Sequence, residues 1–211
     1  MKNKVKIIVF DFDETLYYSE TALESYIMFI KKSILDLSNH TENEADEIIN
    51  EYGFNSRGEN RVSFGKNCEK FGVKKSDWEE YKKDHFFEVD YNNAKIIDNN
   101  LINKLSKKYI CLILSNELYE NIEYKAKKLG IKLKNFQKIY APRKNFNGKC
   151  PSKKETYIKI SQEYAVPFNE ILAIGDRYQV DIKPLEELGG TGIQISNTDD
   201  VNKIIVELLQ Q

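Results

Sequence analysis

The sequence predicts an α/β protein: a doubly wound parallel sheet carrying an all-helical module inserted near its start. Three observations lead there. The run Val5–Phe10 is β-branched and aromatic almost throughout, as in a strand buried on both faces, and it climbs into Asp11 and Asp13. From Tyr109 onward, short apolar runs alternate with helical patterns, which implies parallel strands joined by right-handed crossovers. Between these regions no β-like alternation occurs, although a parallel crossover needs only a dozen or so residues. Residues 18 to 92 are therefore expected to form a module of their own, leaving 1–17 and 93–211 as the α/β core.

Taken in order, the first strand ends in two carboxylates spaced i, i+2, which leave a strand on the same side if the alternation persists. Two acids together at the end of a buried strand repel each other and lose hydration. A divalent cation or a phosphate-transfer role would justify that arrangement. Leu23, Ile27, Ile30, Ile34 and Leu37 then recur at helical spacing, and Asn39–Glu51 reads as a second helix with Ile48 and Ile49 inward. Gly53, Gly58 and Gly65 mark turns. Ser76-Asp77-Trp78-Glu79 has the form of a capping box opening a helix towards Phe87.

A short helix near Asp98–Lys107 precedes the strand Tyr109–Leu114, which runs into Ser115-Asn116. The next helix stops at Gly130, and a short strand follows at Lys138–Ala141. After the basic loop Arg143–Lys149, Ser152-Lys153-Lys154-Glu155 forms another capping box, opening a helix to about Tyr164. Ile171–Ile174 is a buried strand ending at Gly175-Asp176, Gly192–Ile195 a last strand, and Asp199–Leu209 a closing amphipathic helix.

Composition excludes several classes. Charged residues make up 31% of the 211, yet the formal net charge is −1, and the lysines are spread among acids. That argues against nucleic-acid binding driven by bulk charge. Cys68, Cys111 and Cys150 lie far apart with no CxxC spacing, so neither a disulfide framework nor a zinc site is expected. No apolar stretch suits a signal peptide or a membrane span, and the expected location is the cytoplasm.

Three strand ends carry polar groups: Asp11/Asp13, Ser115/Asn116, and Asp176 with Asp181 five residues on. In a parallel sheet these ends share one edge and can converge, where open α/β sheets bind ligands. Carboxylates from different strands suit magnesium, a hard cation that prefers oxygen. A serine hydroxyl and a lysine ammonium suit phosphate oxygens. A carboxylate not consumed by metal can attack phosphorus.

These residues resemble the four motifs of the haloacid dehalogenase-like (HAD-like) superfamily, in order. The first is Val9-Phe10-Asp11-Phe12-Asp13-Glu14-Thr15, the second Ile113-Leu114-Ser115-Asn116, the third Gly148-Lys149-Cys150-Pro151, and the fourth Gly175-Asp176 through Asp181. The resemblance covers residues 4–16 and 98–211. It implies a Rossmann-like core, a helical cap over residues 18–92 that reads the substrate, and phosphatase chemistry through an aspartyl-phosphate. It makes Asp11 the nucleophile and Asp13 the general acid/base, and places Mg2+ on Asp11, the Asp13 backbone carbonyl and Asp176. Ser115, Asn116 and Lys149 would bind the phosphoryl group, with Lys144, Lys153 and Lys154 as nearby alternatives to Lys149. Thr15 would brace the loop, and Asp181 would support the metal or the lysine.

The implied substrate is a small phosphorylated metabolite, such as a sugar phosphate or a nucleoside monophosphate. A phosphomutase using the same aspartates, and a non-catalytic binding protein on this fold, are the other readings. A dehalogenase is disfavoured, because that branch lacks the second aspartate. One departure stands out: the family commonly has glycine where this chain has Glu14, followed by Leu16-Tyr17-Tyr18. The DETLYY form has a faint similarity to members acting on nucleotides. Tyr17, Tyr18, Phe54, Arg57 and Arg61 are candidates to line the cleft, although packing within the cap is the commoner fate of such aromatics.

Overall fold

The computed structural model describes residues 5–57, 62–85, 89–142 and 151–210. Strand β1 (Ile7–Phe10) is fully buried, as its apolar run requires. A second strand of two residues, β2 (Tyr17–Tyr18), follows. Among the described residues, the α-helices α1 (Glu20–Leu37), α2 (Glu42–Glu51), α3 (Phe64–Asn67) and α4 (Lys75–His85) come next. The chain returns through β3 (Lys95–Ile96), α5 (Asn99–Leu105), β4 (Ile110–Leu114), α6 (Tyr119–Leu129) and β5 (Lys138–Tyr140). It closes with α7 (Lys153–Tyr164), β6 (Ile171–Gly175), α8 (Lys183–Glu186), β7 (Thr191–Gln194) and α9 (Thr198–Gln210).

The main sheet has the order β5-β4-β1-β6-β7, with every pair parallel. The chain steps from β1 towards β5 on one side and then towards β7 on the other, so the topological switch falls at β1. The predicted doubly wound α/β fold is borne out. Phe10 is level with Ile113 of β4 and Ile174 of β6, which brings Asp11, Leu114 and Gly175 to one edge. On one face Ile7, Val9, Leu112 and Ala173 pack with Tyr157 and Ile160 of α7 and Leu185 of α8. Burying each such aliphatic side chain contributes about 1.5–3 kcal/mol before entropy is subtracted. Helices α5 and α9 pack against each other.

The chain divides into two compact units: Ser19–Ala94, and the remainder up to Tyr18 and from Lys95 on. The Ser19–Ala94 unit has a core of its own, in which Phe29, Phe54, Phe64, Phe71, Trp78 and Tyr81 surround Ile30, Ile34 and Ile49. Trp78 stands edge-on to Phe64 at 4.8 Å.

Some local expectations are corrected here. The apolar stripe of α1 holds at Ile30 and Ile34, with Ile27 and Leu37 partly buried against the same core, and is widened by the buried Ala22, Phe29 and Ser33. α2 buries Ala45 with Ile49, leaving Ile48 partly exposed, and is opened by a capping box of Thr41 and Glu44. Ser76 does not cap a helix: α4 already begins at Lys75, and Ser76 donates to the neighbouring Asp77 instead. The Ser152–Glu155 capping box is present as read. The pairing of β2 with β3, Tyr17 opposite Ile96 and Tyr18 opposite Lys95, has no counterpart in the sequence reading. Cys111 is buried in β4, and that burial pushes its thiol up to about 12, as for an inert core residue. No helix among the described residues is long and apolar enough to cross a membrane.

Candidate active site

The site is built at the carboxyl end of β1. The Asp11 N–H still bonds across to the Ile174 carbonyl at 2.9 Å, so the strand's order reaches the first aspartate. Beyond it the chain turns, with Leu16 N–H donating to the Phe12 carbonyl at 3.0 Å. Once the strand ends, the i, i+2 rule no longer governs where Asp13 goes. Asp11 and Asp13 consequently meet different lysines. Glu14 sits within this turn at φ +60°, the left-handed region that glycine adopts freely. That conformation accounts physically for the glycine the family usually has there.

Asp11 is 7% exposed, and its Oδ1 accepts from Lys153 Nζ at 2.6 Å. The same ammonium donates to Asp181 Oδ1 at 2.6 Å. Lys153 is buried at the first turn of α7, directly after the capping residue Ser152, so the box fixes where this lysine enters the site. Burial raises the Asp11 pKa to about 6, with Asp181 and Asp13 adding to the rise and Lys153 opposing it. Burial alone would lower the Lys153 ammonium, but Asp11 and Asp181 outweigh it and hold the group above its ordinary value. A buried ion pair of this kind adds little net stability to a fold, whereas removing one partner costs about 3–5 kcal/mol. Its place at the strand ends fits a functional role better than a stabilising one.

Asp181 is held from several sides. Its Oδ2 accepts the Arg177 N–H at 2.9 Å, and the Tyr157 hydroxyl donates to its backbone carbonyl at 2.8 Å. It lies on a wide π-type turn, Tyr178–Ile182, that re-aims the chain after β6. Gly175 leaves room for it, since a Cβ there would lie 2.5 Å from the Asp181 Cβ. Carboxylate oxygens of Asp11, Asp176 and Asp181 lie within 4.8 Å of one another. This all-oxygen donor set, with more negative charge than Lys153 neutralises, fits a hard divalent cation such as magnesium. The Asp13 carboxylate is not part of that group.

Asp13 instead accepts from the Tyr17 hydroxyl and from Lys125 Nζ, both at 2.6 Å and both on Oδ1. Neither contact was read from sequence. Tyr17 was read as a cleft-lining candidate and is a buried neighbour of Asp13. Lys125 was not singled out, although it sits on the buried stripe of α6 with Ile122 and Ala126, where a charged residue is unexpected.

Ser115 is buried at the end of β4, and its Oγ accepts the Glu117 N–H at 3.1 Å, leaving its own O–H to donate elsewhere. Ser115, Asn116 and Lys153 line one small concavity, closed by Pro142 and Pro151. Among the described residues, the lysine that the structure brings to Asp11 and Asp181 is Lys153. Lys149, preferred on its position ahead of the capped helix, lies outside the described residues, as do Lys144 and Arg61. Lys154 pairs with Glu187 at 2.7 Å on the surface. Thr15 is fully buried, but its hydroxyl has no hydrogen-bond partner among the described residues, so the expected brace is not seen through it. Phe54 is in the core of its own unit, and Arg57 donates to the Ser19 carbonyl at 2.9 Å.

The edge of the parallel sheet at its switch point thus carries Asp11, Asp176, Asp181, Ser115 and the buried Lys153, with Asp13 in the turn beyond β1. The chain belongs to the haloacid dehalogenase-like hydrolases, whose family model matches residues 5–189. Among solved structures it is similar to a HAD phosphatase from Thermococcus onnurineus, at 17% identity over 95% of this chain and 98% of that one, with a TM-score of 0.60. It is similar to YfnB from Bacillus subtilis, assigned as a HAD-hydrolase and solved bound to magnesium, at 16% identity, coverages of 96% and 99%, and a TM-score of 0.62. A 2-haloacid dehalogenase from Pseudomonas syringae matches at 13% identity, coverages of 96% and 99%, and a TM-score of 0.54. At these identities the likeness concerns the fold. No curated protein matches the chain.

Proposed function

We propose that this chain is a magnesium-dependent phosphatase acting on a small phosphorylated metabolite through an aspartyl-phosphate. The observation that carries the reading is the buried Asp11–Lys153–Asp181 contact beside the concavity of Ser115. Asp11 Oδ attacks phosphorus while the bond from phosphorus to the ester oxygen breaks. Asp13 gives that departing oxygen its proton and afterwards takes one from the water that hydrolyses the acyl phosphate. Lys153 and the Ser115 hydroxyl offset negative charge on the transferring oxygens. Magnesium, held by Asp11 and Asp176 with Asp181 in support, would supply further charge neutralisation. Asp181 suits the supporting place because both its oxygens already accept hydrogen bonds. Magnesium bound to YfnB, and the phosphatase from Thermococcus onnurineus, are in keeping with this reading.

Asp13 favours a phosphatase over a dehalogenase. A halide leaves without a proton, so a carboxyl group held by Tyr17 and Lys125 has work only with an oxygen leaving group. The Ser19–Ala94 unit would select the leaving group. The test is release of p-nitrophenol from p-nitrophenyl phosphate with and without magnesium, beside Asp11→Asn. Magnesium-dependent release that the substitution reduces by several orders of magnitude is expected. Undiminished release by Asp11→Asn would sink the mechanism.

A further inference from the structure

Lys125 is 5% exposed and lies eight residues beyond Glu117, whose Oε2 accepts from its ammonium at 3.2 Å. Glu117 is anchored in turn, because its Oε1 accepts from the Leu118 N–H and the Asn121 amide, both at 2.9 Å. The start of α6 therefore holds Glu117, Glu117 holds Lys125, and Lys125 reaches across to Asp13. From the other direction, one turn of chain after Asp13 brings the Tyr17 hydroxyl to the same carboxylate oxygen. Tyr17 is itself fixed, packed edge-on against the buried Phe12 at 5.7 Å and paired in β2 with Ile96 of β3.

Both groups donate to Oδ1 of Asp13, and an ammonium has no lone pair to give back. A proton on Oδ1 would oppose these donors, so the catalytic proton belongs on Oδ2, which has no partner among the described residues. Two donors from separate elements also stop the carboxyl group from turning about its last torsion. We propose that Lys125, with Tyr17, is a positioning residue: it fixes which oxygen of Asp13 carries the proton and where that oxygen stands. The proposal rests on the phosphatase reading above, in which Asp13 protonates the leaving oxygen.

Leaving groups separate this role from a merely structural one. p-Nitrophenolate departs with little help from an acid, whereas an alkoxide needs the proton. kcat/KM reports the steps up to leaving-group departure, so it is measured with p-nitrophenyl phosphate and with an alkyl phosphate that wild type hydrolyses, for wild type, Lys125→Met and Lys125→Arg. Proton donation by a placed acid is worth about 100-fold or more. Lys125→Met is expected to lower kcat/KM on the alkyl ester at least tenfold more than on the aryl ester, with Lys125→Arg recovering part of the difference. Equal losses on both esters, or no loss on either, would overturn the proposal.

If Lys125→Met does not fold, Tyr17→Phe removes the other donor with a change of one oxygen atom, and the same comparison decides. A wild type that hydrolyses neither ester with magnesium would remove the phosphatase reading itself and this proposal with it. A wild type that hydrolyses both, with parallel losses in the variants, would remove the proposal alone.

Discussion

Asp11 is an acid whose surroundings would set the conditions for the proposed metal binding. Its pKa, pushed from 3.8 up to about 6 mainly by burial, means the folded chain binds this proton more tightly than the unfolded chain does. For the metal-free protein, the Asp11 contribution to stability is therefore full below 3.8 and is lost as pH rises through 6. A divalent cation reverses the preference, because it binds the carboxylate and competes with the proton. Above pH 6 the metal meets an ionised group. Below it, apparent affinity should weaken about tenfold per pH unit for one competing proton. Thermal-shift titrations with magnesium at about pH 7.5 and about pH 5 check this, and a much lower half-saturating concentration is expected at the higher pH. Equal half-saturation at the two pH values would place Asp11 outside the metal site. Asp11, Asp176, Asp181 and Ser115 were legible in the sequence because each ends, or closely follows, an apolar run. Lys125 was not, since one lysine among the three of α6 gives no local sign that its helix turns it inward. Choosing among the lysines near residue 149 was equally beyond spacing rules, because it depends on where one helix starts and which way its first turn faces.

At the scale of elements, α7 shows how a capping residue serves a site. The Ser152 hydroxyl accepts the Glu155 N–H at 3.2 Å, and Glu155 accepts the Ser152 N–H at 2.7 Å. Those bonds set the first turn and with it the path of Lys153 to Asp11. Losing an N-cap of this type costs about 1 kcal/mol. Ser152→Ala should destabilise the protein by about that amount in urea denaturation and also reduce catalytic efficiency. Lost stability with intact efficiency would show that Lys153 keeps its aim without the cap. The same four-residue pattern at Ser76 misled, because α4 opens at Lys75 and the serine falls inside it. A capping pattern marks a helix start only when the backbone ahead of it is extended, as at Ser152 and Thr41.

For the molecule as a whole, alternation of strands and helices predicted the sheet because its three central strands, β1, β4 and β6, are buried apolar runs of four or five residues in a parallel setting. The gap after β1 predicted an inserted unit on chain length alone. What stayed hidden was how that unit is joined. Strands of two residues, β2 and β3, are too short for any periodicity to register, and their partners are remote in sequence.

That ribbon gives the protein a socket. The two chain crossings into the Ser19–Ala94 unit are hydrogen-bonded neighbours, so the rest of the chain sees the insertion as the loop of a hairpin. Replacing Ser19–Ala94 with Asn-Gly, the pair that best closes a two-residue hairpin, should leave a shorter chain that still unfolds cooperatively by circular dichroism, since the core around Ile7, Val9 and Leu112 lies wholly outside the excised part. A chain without a cooperative transition would mean that the large unit depends on the small one. Joined in this way, the larger unit could receive other modules between Tyr18 and Lys95 without any change to its own sheet.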